Sequence, residues 1–502
     1  MKIKKILLIF PPYPIPKVYP KRVQFPLGII YLAGGLLREG YEVKLVDAPI
    51  EGWEKSMEAG NDQVQYGLYP EDIMAKVRQE KPDAIGISCM FGVQLKNSRD
   101  LAEMIKSEFP QTPIVMGGAL VSECAIQILD NRKSVDYIII GEGEETFALL
   151  LRYLNEGKDN LIENIDGIAY RNKLGKSVVN KKTKYIANLD GLAVPARSLL
   201  PVRKYFELNR SHGTVSRMAK AATIITSRGC PGRCTFCSIH SVWGYNIRFR
   251  SPENVIDEIV DLQKEFGITE FQIEDDNFTF DVNRAGRICD LIVERKIKAK
   301  FSTPNGIAVW SLNKELLRKM KKAGFYKLTL AIESGSERTL KQIIRKPLDL
   351  DKIKEIVKES LKQGFIVDTF FVIGFPGETP EDLKKTFALS RSLNAHSVKY
   401  FIATPYPGTE LYRLANNKGM LDKERFVDDF SMTPARSIIN TEYFTCREID
   451  RIWLRETLKT QLFLFLRRPV SYTKNVFLDY FRKDSSAIKD YLWAFLKSKK
   501  RA

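Results

Sequence analysis

Three of the seven cysteines fall within eight residues, in the run Ser227-Arg228-Gly229-Cys230-Pro231-Gly232-Arg233-Cys234-Thr235-Phe236-Cys237. The spacing is C-x3-C-x2-C. Three thiolates on a Gly/Pro-rich loop that can curl around one centre can hold three irons of a cubane [4Fe-4S] cluster, leaving the fourth iron without a protein ligand. Zinc competes for such thiolates, but a structural zinc takes four ligands and usually paired CxxC knuckles. Only His240, three residues past Cys237, offers a fourth. Simple burial of three cysteines would not require a glycine-rich loop.

The elements that must carry this loop form two α/β series. In the first, short apolar strands at 5–10, 42–47, 84–88, 113–116 and 137–140 alternate with helix-like stretches at 27–39, 70–79, 96–109 and 144–155. Near-continuous apolar strands separated by helices predict a parallel, doubly wound sheet, which binds ligands at the carboxyl ends of its strands. Glycines 117, 118, 141 and 143 follow those strands and would let backbone approach a ligand, although turns favour Gly on conformational grounds alone. No strand carries a GxGxxG leading into a helix, so a dinucleotide is disfavoured.

A more polar stretch follows at 156–218, with a hairpin expected around 165–172 and turns at 188–201. The second series starts at Ala222 (ATIITS) and continues with strands at 271–274, 299–302, 327–332, 367–373 and 398–403. Helices are expected at 254–266, 282–295, 314–323, 349–363 and 381–393. Six strand-helix units predict a partial or complete parallel barrel with its chemistry at the strand C-termini, and the cysteine loop leaves its first strand. The expected organisation is 1–155, a doubly wound domain; 156–218, a connector; 219–425, a (β/α)6 barrel; and 426–502, a helical basic region. Buried carboxylates at a barrel mouth need donor or cationic partners, which makes Glu274, Asp275 and Asp276 candidates for a ligand or for structural capping and ion pairing.

With these segments in view, the second series resembles the radical S-adenosylmethionine (SAM) family, whose signature has this cysteine spacing and an aromatic residue, here Phe236, before the last cysteine. The resemblance implies that Cys230, Cys234 and Cys237 ligate the cluster, whose open iron chelates SAM, and that one electron cleaves SAM to a 5′-deoxyadenosyl radical. It also implies SAM contacts at Phe236, at Glu274, Asp275 and Asp276 after the second strand, at Glu333 and Ser334 after the fourth, and at Gly374 in Gly374-Phe375-Pro376-Gly377-Glu378-Thr379 after the fifth. Thr404-Pro405-Tyr406-Pro407-Gly408-Thr409 follows the sixth. An external electron donor of the flavodoxin or ferredoxin type is implied with the chemistry.

The first series, with PPYP at 11–14, FPLGIIYLAGGLLREGYEVKLVDA at 25–48, Ser88-Cys89-Met90, Gly117-Gly118 and Gly141-Glu142-Gly143-Glu144-Glu145, resembles the cobalamin-binding subgroup of that family. The resemblance implies that Pro12, Leu27, Gly28, Ser88, Gly117, Gly118, Gly141, Glu142, Gly143 and Glu144 hold the corrin ring and nucleotide tail. The D-x-H-x-x-G signature is absent, and His212, His240 and His396 all lie outside this series, so no histidine from it reaches cobalt. The methylthiotransferase group is a poorer match, because its second cluster needs three N-terminal cysteines and only Cys89 and Cys124 are available. Those two are expected to be small core residues.

The layout implies a methyltransferase acting on an unactivated carbon, in which methylcobalamin delivers the methyl group to a substrate radical. The alternatives are a cobalamin-assisted cyclase or ring rearrangement, and a non-catalytic cobalamin carrier or sensor.

Composition constrains partners. The 502 residues are 44% hydrophobic and 28% charged, with a net charge of +18. Residues 451–502 hold 13 Lys and Arg against 4 Asp and Glu, half of that surplus, interleaved with aromatics and aliphatics. Such a stretch can lie on an anionic membrane or pack its apolar face on the barrel. Lipid-like, peptide and small-molecule substrates all fit, the stretch tilts the choice toward a hydrophobic or membrane-resident one, and nucleic acid is disfavoured for want of a recognised module. No apolar run reaches the roughly 18 residues of a membrane span, and Pro11, Pro12, Pro14 and Pro16 interrupt the N-terminal apolar run, which reads as a buried strand of a cytoplasmic protein.

Overall fold

The computed structural model describes residues 2–17, 21–60, 63–131, 133–210, 218, 220–425, 436–470 and 472. Its first sheet contains the five expected parallel strands in the order Glu42–Asp47, Lys5–Phe10, Ala84–Ser88, Ile114–Gly117, Tyr137–Ile139. In chain order that is 2-1-3-4-5, a doubly wound sheet whose topological switch lies between Phe10 and Ser88. After Lys5 the run KILLIF is apolar at every position because both faces are covered. Leu7 and Ile9 enter one core and Ile6 and Leu8 the other.

Two strands extend this sheet. Within the expected connector, Ile168–Arg171 pairs antiparallel with Tyr137–Ile139 and then with Ser177–Asn180, as a hairpin added to the sheet edge. A small antiparallel sheet of Tyr13–Pro16, Gln63–Tyr66 and Ser56–Glu58 had no counterpart in the sequence reading. Pro14 and Pro16 conceal it, since proline cannot donate to a ladder, yet their strand is an edge strand where proline is tolerated.

The second sheet is parallel and open, in the order Ala221–Ile224, Glu270–Ile273, Lys300–Ile307, Phe325–Glu333, Ile366–Ile373, Ser397–Ile402. It is a partial (β/α)6 barrel with its six strands where expected. The third strand runs past the expected 302 through Pro304-Asn305-Gly306, with register shifts that disguise it. The helices begin at capping residues: Ser251 accepts from the Asn254 N–H, Asp281 from Arg284 and Thr379 from Asp382. A π-helical turn at Thr339–Ile344, ending on the left-handed Arg345, was not legible as an element. Such turns concentrate at functional sites.

Helix Cys446–Arg467 lies on the last strand. Trp453 Nε1 donates to the Tyr400 carbonyl at 2.7 Å, and Ile449 and Leu464 enter the barrel core. The described start of the basic region therefore packs on the barrel, while residues 473–502 lie outside the described residues. Among the described residues no helix is long and apolar enough to cross a membrane.

Candidate active site at the facing strand ends

The cysteine loop leaves strand Ala221–Ile224 and is closed at its base by a two-stranded ladder, Ser227–Arg228 against Arg248–Phe249. Below the ladder, Asp275 accepts from the Thr226 N–H at 2.6 Å, the Thr226 hydroxyl at 2.5 Å and the Ser227 hydroxyl at 2.7 Å. On the far side, Thr235 N–H donates to the Ile344 carbonyl of the π-turn, and Leu411 N–H donates to the Thr235 carbonyl. Phe236 packs on Phe375 of the fifth-strand loop, with ring centroids 5.7 Å apart. The loop is thus held at three points before any cofactor is considered.

Its three thiols are half-buried. Burial pushes all three up, Cys234 to about 11 and Cys237 to about 12. A Cβ added at Gly232 would stand 3.4 Å from Cys230 Sγ and 4.0 Å from Cys234 Sγ, so glycine clears the space between the sulfurs. His240 turns away from the ligand role that zinc would need: its Nε2 lies 3.1 Å from the Cys230 carbonyl and its ring stacks on Tyr245. Among the described residues no three His, Cys, Asp or Glu side chains converge as ligands of one ion. Three thiols on one loop, with His240 engaged elsewhere, match a cluster that leaves one iron without a protein ligand, whereas a structural zinc takes four ligands. The donor set fits a cluster.

Gly232→Val is expected to leave the metal-free protein's thermal midpoint nearly unchanged and to lower iron retention sharply, because the added methyls occupy the cluster's side of the loop. Iron content after anaerobic reconstitution checks this, and full iron loading would contradict it.

The carboxylates predicted together divide. Asp275 is 2% exposed and engaged with Thr226 and Ser227. Asp276 accepts from the Gly229 N–H, and burial together with its neighbour Asp275 pushes its carboxyl up to about 7. Its field also raises Cys230 and Cys237, so it faces the cysteine loop. The Glu274 carbonyl accepts from Asn305 Nδ2 at 2.8 Å.

At the fourth strand end, Glu333 adopts the left-handed region at φ 70°, a strain that side chains other than glycine sustain only where surroundings impose it. Its side chain is held by Lys346, whose Nζ donates to Glu333 Oε1 at 2.7 Å and to the Ala331 carbonyl at 2.8 Å and lies over Trp310. Ser334 is fully buried and bonded to Thr386. Lys346 was not singled out from the sequence, since nothing local marks a lysine beyond a π-turn as a strand-end partner.

Gly374 has φ 88° and donates its N–H to Glu378 Oε2 at 2.7 Å. Glu378 is fully buried and its Oε1 has no hydrogen-bond partner. Burial pushes this carboxyl up to about 8, against about 4.3 in an unfolded chain. Over that window the folded state keeps a proton that the unfolded state releases, so stability falls as pH rises toward 8, by up to about 1.4 kcal/mol per pH unit. Glu378→Gln keeps the acceptor for Gly374 and removes the titration. The variant's thermal midpoint should therefore gain on the wild type from about pH 5 to about pH 8, and a constant difference would contradict the assignment.

In the first domain, Pro12, Ser88, Gly117, Gly118 and Gly141 line the C-terminal edge of the central strands. Gly118 and Gly141 have φ 125° and 70°. Gly28 is exposed with no atom within 4 Å of an added Cβ, and Leu27 beside it is half-buried. This small-residue edge lies at the topological switch and beside it, where doubly wound sheets bind ligands. Cys89 and Cys124 are buried, as expected of core residues.

The two strand-end surfaces meet. Arg228 donates to Glu142 Oε1 at 2.9 Å and to Glu144 Oε1 at 2.6 Å, and Arg248 donates to both Glu142 oxygens at 2.8 Å. A Cβ on Gly141 would stand 3.1 Å from the Val242 carbonyl, and one on Gly408 would strike Glu123. The carboxylates of Glu142 and Glu144 therefore bridge to the cysteine-loop domain, while Gly143 starts the helix Glu144–Glu156.

Comparison with known proteins agrees with this geometry. Residues 19–151 match the B12 binding domain and residues 224–389 the radical SAM superfamily. The cytidylyl-2-hydroxyethylphosphonate methyltransferase of Streptomyces wedmorensis is 32% identical over 467 residues, 88% of this chain and 86% of that protein. The structure of the cobalamin-dependent SAM radical enzyme OxsB with aqua-cobalamin bound superimposes with a TM-score of 0.70 over 99% of this chain and 76% of that one, at 17% identity. The radical SAM methyltransferase TsrM from Kitasatospora setae, with cobalamin and a [4Fe-4S] cluster bound, gives 0.64 over 83% and 75%, also at 17%. With both domain types matched in order and a relative aligned along nearly its whole length, this chain belongs to the radical SAM enzymes that carry a B12-binding domain.

Proposed function

We propose that this protein is a cobalamin-dependent radical SAM C-methyltransferase acting on a small-molecule substrate at an unactivated carbon. The observation that carries the reading is the meeting of the three-thiol loop with the glycine-rich edge of the doubly wound sheet across one interface. When bound, the cluster supplies one-electron cleavage of SAM and the cobalamin supplies a methyl carrier. Enforced proximity is what short-lived radical chemistry requires of a protein.

In this reading Cys230, Cys234 and Cys237 ligate the cluster. Glu274 and Asp276 face SAM, and Phe236 and Gly374 shape its site. Asp275, Glu333 and Ser334 act through the loops they hold, since their own side chains are occupied by protein partners. Pro12, Leu27, Gly28, Ser88, Gly117, Gly118, Gly141 and Gly143 cradle cobalamin with their backbone and small side chains. Glu142 and Glu144 orient that edge through their arginine partners. A flavodoxin- or ferredoxin-type donor supplies the electron.

Anaerobic incubation of the reconstituted enzyme with SAM bearing a deuterated methyl group tests the methyl-transfer assignment without a known substrate. Label recovered on the corrinoid supports it. Unlabelled corrinoid alongside ample 5′-deoxyadenosine would favour a rearrangement or cyclisation instead.

The substrate class is tied to where the enzyme sits. Leu462, Leu466 and Val470 are 59%, 70% and 81% exposed beside Arg467 and Arg468, which suits peripheral contact with an anionic membrane and a lipid-like substrate. Flotation with vesicles containing anionic lipid should recover full-length protein and lose it when Leu462, Leu466 and Val470 are changed to Ser. Equal recovery would contradict membrane contact.

A further inference from the structure

Arg228 stands two residues before Cys230 and is 2% exposed. Its guanidinium forks to Glu142 and Glu144, carboxylates of the turn that follows strand Tyr137–Ile139 in the first domain. It also lies between two rings, 5.2 Å from Tyr31 of the first domain and 4.6 Å from Trp243 at the end of the cysteine loop. Arg248 adds a second guanidinium on Glu142 and donates to the Ile186 carbonyl at 2.8 Å and to the Trp243 carbonyl at 3.1 Å. Burial opposes the charge on Arg228, and Glu144 and Glu142 more than offset it. Burial would push the Glu144 carboxyl up, but Arg228 holds it below the usual range.

A buried ion pair is an expensive way to join two surfaces. Well-packed apolar residues of the same volume are often as stable or more so, and what the charged arrangement adds is a fixed geometry. A guanidinium fork permits far fewer orientations than an apolar contact or an ammonium. Here the fork connects the base of the cluster loop to the turn expected to border the corrin.

We propose that Arg228 is a positioning residue that sets the distance and orientation of the corrin relative to the iron–sulfur cluster, through Glu142 and Glu144. The inference rests on the reading that the two domains hold those cofactors. The Arg228 guanidinium is taken up by Glu142, Glu144 and the two rings, so it acts through them. Its effect would be to keep the two cofactors at one separation, so that a substrate held between them would lie within reach of both.

The test is pulsed electron paramagnetic resonance on the full-length protein, reconstituted with iron, sulfide and hydroxocobalamin and reduced so that cob(II)alamin and the reduced cluster are both paramagnetic. The dipolar coupling between them reports their separation. The wild type should give one narrow distance distribution. Arg228→Gln and Glu142→Gln/Glu144→Gln should broaden or shift it by about 1 Å or more, with Arg228→Lys intermediate because an ammonium keeps the charge and loses the fork. Iron and corrinoid content establish loading in every sample. A purely stabilising role would lower the thermal midpoint and leave the distribution of folded, loaded protein unchanged, and that result would overturn the proposal. Should Arg228→Gln fail to fold or load, Glu144→Gln alone, which removes the more accessible partner, makes the same comparison, and an unchanged distribution there overturns it equally. Wild-type protein that retains no corrinoid or no iron would overturn the cofactor reading itself, a failure visible before any variant is compared.

Discussion

Cys234→Ala is expected to abolish the iron–sulfur chromophore and SAM cleavage while leaving the fold in place. The Cys234 thiol is half-buried, and burial raises it to about 11, so without iron it behaves as a small neutral apolar group. Exchanging it for alanine removes little packing and costs about 1 kcal/mol. In the proposed cluster site the same exchange deletes one of three protein ligands. Loss of an outer partner alone costs roughly 10–100-fold in metal affinity, and loss of a ligand exceeds that. Iron content and 5′-deoxyadenosine yield should both fall below about a hundredth of wild type with a thermal midpoint of the metal-free protein near that of the wild type. Cys230→Ala and Cys237→Ala should behave alike. A variant that kept its iron would show that the three cysteines do not act as one set.

The second large effect belongs to Asp275, whose two oxygens are engaged by protein donors. Asp275 binds the backbone and hydroxyl of Thr226 on separate oxygens and shares one of them with the Ser227 hydroxyl. Thr226 and Ser227 are 0% and 2% exposed. Asp275→Ala strands the Thr226 N–H in a dry environment at the base of the cysteine loop, at a cost of about 1–3 kcal/mol. Asp275→Asn is expected to be milder. Its amide oxygen can accept from the Thr226 N–H, while its NH2 donates to hydroxyl oxygens that can reverse their role. Thermal midpoints should rank wild type, Asn, Ala, with iron retention falling in the same order. A cofactor contact would predict that Asn and Ala impair SAM cleavage equally, without the graded loss of stability.

That contrast shows where sequence stops. The strands were legible because a sheet covered on both faces writes continuous apolar runs, as in KILLIF, where alternate residues enter different cores. The cysteine loop was legible because its pattern is local, three cysteines and two small turn residues within eight positions. The edge strand Tyr13–Pro16 was not, because its prolines carry the signature of an interruption and only the neighbouring strand makes them tolerable. Adjacent carboxylates also carry the same sequence signal and opposite fates. Asp275 turns beneath the loop and Asp276 toward it, a division decided by the strand end that presents them.

The partners Arg228 and Lys346 escaped for a related reason. Each completes a carboxylate that lies far away in the chain, 84 residues separating Arg228 from Glu144 and 13 separating Lys346 from Glu333. The sequence marks the acids, through their place after strands, while the bases that answer them come from a turn and a ladder with no periodic pattern. For Glu142 and Glu144 the consequence is direct. Their position near the expected cobalamin edge was legible, and their engagement by arginines of the other domain was not.

The most direct measurement is anaerobic purification and reconstitution of the full chain, followed by quantitation of iron, sulfide, corrinoid and zinc and by reduction in the presence of SAM. About four irons and about one corrinoid per chain are expected, with 5′-deoxyadenosine formed only when both reductant and SAM are present. Zinc as the sole bound metal, or an iron-loaded protein that never cleaves SAM, would contradict that expectation.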